Sequence, residues 1–125
     1  MKALLVDDSS TMRSILRMTL RQAGFETVEA DNGATALTKL GQEGAADVAL
    51  VDWNMPVMNG FEFLCALRQD HKYDKMLVVM VTTETEMSNI QSAVERGANE
   101  YIMKPFTKEA VIEKLQLLGL VAQTV

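Results

Sequence analysis

Short β-prone runs recur along the chain at KALLV (2–6), ETVEA (26–30), DVALV (47–51), MLVVMV (76–81) and EYIM (100–103), and each is followed by a helical pattern. In the first helix Met12, Ile15, Leu16, Thr19, Leu20 and Ala23 recur at steps of three and four, which predicts one apolar stripe closed by Gly24. Gly33, Ala36, Leu37 and Leu40 predict a second helix ending at Gly41. Phe61, Leu64 and Cys65 mark a third, Met87, Ile90 and Val94 before Gly97 a fourth, and Val111, Leu115 and Leu118 before Gly119 a fifth. The third and fourth strands run almost unbroken in Val, Leu, Met and Ala, as central parallel strands covered on both faces must. Strict alternation of strand and helix predicts an α/β fold: an open, doubly wound parallel sheet flanked by five helices.

Such a sheet gathers the residues after its strands on one edge, where ligands bind. After the first strand come Asp7 and Asp8, after the third Asp52, after the fourth Thr82 and Thr83, and just past the fifth Lys104. Two unit charges about 4 Å apart at an effective dielectric near 20 repel by roughly 4 kcal/mol, so adjacent carboxylates at a strand end need a counter-charge. Oxygen donors without thiolate or imidazole suit a hard cation, and Mg²⁺ needs only one or two carboxylates. Beside a cation and a lysine a carboxylate can attack phosphorus, which makes Asp52 the candidate nucleophile. Plainer readings exist for each residue. Asp7 or Asp8 could cap the first helix, Thr83 with Glu86 fits a capping box, and Lys104 alone could be a solvated lysine. Their joint placement at strand ends favours a site.

The 125 residues, 48% hydrophobic and 23% charged, suffice for one domain over 1–125, with no linker or repeat beyond the strand–helix alternation. A net charge of −5 without clustered Lys and Arg argues against nucleic acid as a partner. No run is long enough to span a membrane, and MKALLVDD turns polar too early for a signal peptide, so the expected location is cytoplasmic. The single Cys65 is expected to be a small buried hydrophobe, His71 an exposed loop residue without a ligand role, and most of the nine methionines core filler.

The segments LLVDDS, VALVDWNMPVMNG, VMVTTE and YIMKPF together resemble the receiver domain of bacterial response regulators over essentially the whole chain. STMR, the Trp after Asp52 and MKPFT are similar to the single-domain chemotaxis type. The resemblance implies a flavodoxin-like sheet of order 2-1-3-4-5 and a two-component protein, not an enzyme, phosphorylated on Asp52 by a chemotaxis-type histidine kinase. It implies Mg²⁺ held by Asp8, Asp52 and the Asn54 carbonyl, with Asp7 acting through water. Lys104 would meet the phosphoryl oxygens, and Pro105 would follow a cis peptide bond. Thr82 would be the switch hydroxyl, whose movement lets Tyr101 turn inward and alters the face carrying Met87, Ile90, Met103 and Lys114. Asn54 and Glu84 would flank a short-lived acyl phosphate. The implied partner is a flagellar motor switch protein, and the implied state a monomer. A stand-alone receiver serving as phosphate sink, relay intermediate or regulator of another protein is the alternative. Chemotaxis regulators are lysine-rich where this chain has Glu86 and Met87, and have Ala where it has Thr83. A haloacid-dehalogenase-type phosphatase would instead need a DxD pattern after the first strand, and a flavin carrier a phosphate loop that DDSS would repel.

Overall fold

The computed structural model describes residues 1–122, apart from the side chain of Glu84. The chain alternates β1 (Lys2–Val6), α1 (Ser10–Gln22), β2 (Glu26–Ala30), α2 (Gly33–Glu43), β3 (Val48–Asp52), α3 (Gly60–Gln69), β4 (Leu77–Thr82), α4 (Ile90–Glu95), β5 (Glu100–Met103) and α5 (Lys108–Leu117). Two 3₁₀ segments, His71–Tyr73 and Glu84–Asn89, precede β4 and α4. All pairings are parallel and the order is β2-β1-β3-β4-β5, as the resemblance implied for a flavodoxin-like sheet, a class for which receiver proteins themselves serve as a standard example.

The sheet separates two apolar layers. Leu4, Val6, Val51, Phe63, Leu64, Leu67 and Met80 form one, and Leu5, Leu16, Leu20, Leu50, Val79, Val111 and Leu115 the other. β3 is buried at every residue, in keeping with its unbroken apolar sequence. Burying such side chains is worth about 1.5–3 kcal/mol each and leaves the sheet little freedom to shift register.

Several expectations need correction. β3 and β4 each begin and end one residue later than the apolar runs suggested, so Asp52 and Thr82 are the last residues of their strands. The shift arises because ladder bonds, such as Asp52 opposite Val81, extend past the last apolar side chain. α2 runs through Gly41 and ends at Gly44, whose φ of 88° suits glycine. Ile15 and Val94, counted in apolar stripes, are exposed. α3 buries Phe63, Leu64 and Leu67, while Phe61 and Cys65 are half-buried. The fourth helix is short, its first half being the 3₁₀ segment that carries Met87. Met76 and Met80 are core residues, with Met12, Met55 and Met58 packed against the core, whereas Met1, Met18 and Met103 are exposed.

Candidate metal and phosphoacceptor site

Asp7 follows β1, and its N–H prolongs the ladder by donating to the Ala30 carbonyl at 3.1 Å. It is almost fully buried and held on all sides. Its Oδ1 accepts from the Ser9 N–H at 2.9 Å, its Oδ2 from Lys104 Nζ at 3.3 Å, and its carbonyl from Arg13 Nη1 at 2.6 Å. The cap of α1 is not an aspartate but Ser9, whose hydroxyl accepts from the Met12 N–H at 3.2 Å. Both aspartates are therefore free of that duty. Asp8 is exposed.

Asp52 closes β3 and is 7% exposed. Behind it the chain turns tightly, with the Gly60 N–H donating to the Trp53 carbonyl at 3.0 Å. A Cβ at residue 60 would stand 2.2 Å from the Asp52 carbonyl oxygen, so only glycine permits this approach. The loop between contains Val57, a β-branched residue at φ 67° and 85% exposed, and therefore carries backbone strain. Trp53 packs on Phe61 with ring centroids 5.8 Å apart.

One oxygen from each of Asp7, Asp8 and Asp52 lies within 4.8 Å of the others. Lys104, placed by β5 and followed by a cis Lys104–Pro105 bond, reaches Asp52 Oδ1 at 3.0 Å as well as Asp7. Three carboxylates against one ammonium leave an excess of two negative charges, the charge a divalent ion carries. The donors are all carboxylate oxygens, which fits a hard divalent cation. Burial raises the Asp52 carboxyl to about 6; the Lys104 hydrogen bond opposes the rise, and the charges of Asp7 and Asp8 add to it. Burial disfavours the Lys104 cation, yet Asp52 and Asp7 together hold its pKa above the ordinary lysine value.

Thr82 ends β4, fully buried, one residue past the partner of Asp52, and its carbonyl accepts from the Lys104 N–H at 2.6 Å. The sheet thus brings Asp7, Asp8, Asp52, Thr82 and Lys104 to one edge. Asn54 lies in the loop after β3, exposed, its side-chain amide donating to Glu86 Oε2. Tyr101, Ile90 and Met87 are half-buried on the β5 and α4 side, Met103 is exposed, and Lys114 sits 4.8 Å from the Tyr101 ring centroid while pairing with Glu100 at 3.1 Å. His71 is exposed and meets Asp74 at 3.2 Å, away from the site. The Glu84 side chain, expected to flank the site, lies outside the described residues. Sequence reading gave no role to Arg13, which braces Asp7, and saw Glu86 as a helix cap without its reach to Asn54. A basic residue one turn into the helix after an acidic strand end is a signal for the first; the second crosses 32 residues and has no local signal.

Residues 3–116 match the family described as "Response regulator receiver domain", and the chain belongs to that family. It is 42% identical over 119 residues to "Chemotaxis protein CheY1" of Helicobacter pylori, covering 94% of this chain and 96% of that protein. It is 45% identical over 117 residues to "Chemotaxis protein CheY" of Pseudomonas aeruginosa, covering 93% and 94% of the two chains. The solved structure of "Chemotaxis response regulator CheY4 of Vibrio cholerae" superposes with a TM-score of 0.86 at 40% identity, over 94% of this chain and 97% of that one. The protein is therefore a two-component response regulator. Phosphorylation and dependence on a divalent ion are general properties of the family, whose members are signalling proteins. No helix among the described residues is long and apolar enough to cross a membrane.

Proposed function

We propose that this receiver accepts a phosphoryl group on Asp52 from a chemotaxis-type histidine kinase and then binds a flagellar motor switch protein. The observation that carries the chemistry is the contact of Lys104 with Asp52 inside a cluster of three carboxylates drawn from two strand ends. Asp8, Asp52 and the Asn54 carbonyl would hold Mg²⁺, with Asp7 acting through water. The ion supplies charge neutralisation at the transferring phosphoryl oxygens.

The protein's own groups do the rest. An Asp52 oxygen attacks phosphorus, the P–N bond to the donor histidine breaks, and its electron pair leaves on the imidazole nitrogen, which takes up a proton. Lys104 exchanges its contact with the carboxylate for one with a phosphoryl oxygen, so its positive charge follows the negative charge. The Thr82 hydroxyl donates a further hydrogen bond. Its shift opens room for Tyr101 to move inward, and the face bearing Met87, Ile90, Met103 and Lys114 changes shape by population shift. Output is binding.

Names among the relatives support the chemotaxis assignment. Glu86 and Met87, standing where lysines are usual, set the output face apart and keep a different protein target, a phosphate sink or a relay role as the alternative. Titration with Mg²⁺ and then beryllofluoride, following Trp53 emission, tests the site: the native chain is expected to respond and Asp52→Asn to lose the beryllofluoride step. An identical response in both would refute the assignment. Purified motor switch protein, captured with beryllofluoride and not without it, tests the target. The expected location is the cytoplasm and the expected state a monomer, with no nucleic-acid or membrane partner.

A further inference from the structure

Glu86 stands on the 3₁₀ segment after β4, yet its carboxylate faces back toward the phosphoacceptor loop. Its Oε1 accepts from the Thr83 N–H at 3.0 Å and from the Thr83 hydroxyl at 2.9 Å. Its Oε2 accepts from the Asn54 side-chain amide. One carboxylate thus ties the loop after β3 to the segment after β4, across the edge where Asp52 and Thr82 end their strands. Met87 is the next residue and Ile90 lies one turn further on, so the tie is anchored on the output face.

Charge-assisted hydrogen bonds of this kind hold a geometry better than neutral ones. Asn54 is exposed, in a loop strained at Val57, and the Glu86 contact is its side-chain hydrogen bond among the described residues. Met55 and Met58 pack against the core and the Gly33 N–H donates to the Met58 carbonyl at 3.0 Å, which fixes the loop beyond Asn54. Without the Glu86 contact, the freedom left to Asn54 itself would have to be lost when a cation binds. We infer that Glu86 is a positioning residue: it holds Asn54 and Thr83 in one unit, pre-forming the cation site and passing its state to Met87 and Ile90. This rests on the metal reading given above.

Glu86 also brings a negative charge to the region, and a charge alone would favour cation binding. A double-mutant cycle separates the two effects. With Trp53 emission as the probe, Glu86→Ala is expected to weaken Mg²⁺ binding about three- to fivefold in the native background, and by less than about 1.5-fold when Asn54 is already Ala. Equal weakening in both backgrounds means charge alone and overturns the inference. A native chain that shows no Mg²⁺ response overturns the metal reading and the inference with it. A metal-free measurement stands independently: amide exchange at Thr83 should quicken about tenfold or more in Glu86→Ala. Backbone chemical shifts of residues 87–95 should respond less to Mg²⁺ in that variant. Unchanged exchange at Thr83, or shifts at 87–95 that follow Mg²⁺ as in the native chain, would also overturn it.

Discussion

Lys104 Nζ lies 3.0 Å from Asp52 Oδ1, joining residues that are 52 positions apart in the chain. The same ammonium touches Asp7 at 3.3 Å, so a single lysine is shared by two buried carboxylates and offsets only part of their charge. Removing one partner of such a group leaves charge without compensation, which is costlier than the group itself is stabilising. Lys104→Met is expected to lower stability by about 2 kcal/mol in chelator at neutral pH, less than a fully buried pair would lose because the lysine keeps some solvent contact. Mg²⁺ should restore part of the loss. Thermal unfolding with and without Mg²⁺ checks this; a stability indifferent to the ion would count against the shared charge balance.

Asp52 supplies a pH dependence whose sign is fixed by the upward shift of its carboxyl to about 6 from 3.8. Well below pH 3.8 the group is protonated in both folded and unfolded chains and contributes nothing. As pH rises from about 4 to 6 the unfolded chain ionises first, so the folded state loses stability, and above about 6 the loss is complete. Asp52→Asn removes the ionisation. In chelator it is expected to be more stable than the native chain by on the order of 2 kcal/mol at pH 7.5, with the gap closing toward pH 4. Urea unfolding at several pH values measures it, and a gap that widened toward acid would contradict the sign.

Gly60→Ala tests the packing behind Asp52. Its Cβ would collide with the Asp52 carbonyl oxygen, a backbone atom, where no rotamer change can help. A loss of about 3 kcal/mol is expected, with weakened divalent-ion binding as the end of β3 is displaced. Native-like stability and ion affinity in this variant would show that the turn is looser than the geometry requires.

Val57→Asn should act in the opposite direction. Valine is poorly suited to φ 67°, asparagine tolerates it, and the side chain is exposed, so little packing is lost. The expected gain is about 1 kcal/mol in unfolding free energy, read by urea titration, with ion binding retained.

Alternation of β-prone runs and helical patterns was enough to read the elements of the sheet, and the position of each acidic or hydroxylic residue at a strand end was enough to anticipate that they share one edge. Where the reading slipped, ladder hydrogen bonds or tertiary packing decided the outcome. The boundaries of β3 and β4 moved because the backbone pairs beyond the apolar side chains. Ile15 kept a helical period yet faces solvent, since α1 is covered on one side only and its buried stripe is Leu16, Thr19 and Leu20. The order 2-1-3-4-5 and the cis bond before Pro105 came from resemblance, because periodicity carries no information about strand order or peptide isomer. Contacts such as Glu86 with Asn54 depend on two loops folding against each other, which no local pattern encodes.

The central claim is that Asp52 is the residue that captures phosphorus. Incubation of the native chain with acetyl phosphate and Mg²⁺, followed by borohydride trapping and peptide mass analysis, addresses it directly. The label is expected on Asp52, to depend on Mg²⁺ and to be absent from Asp52→Asn. A label of equal yield on Asp7 or Asp8, or one indifferent to the metal, would contradict it.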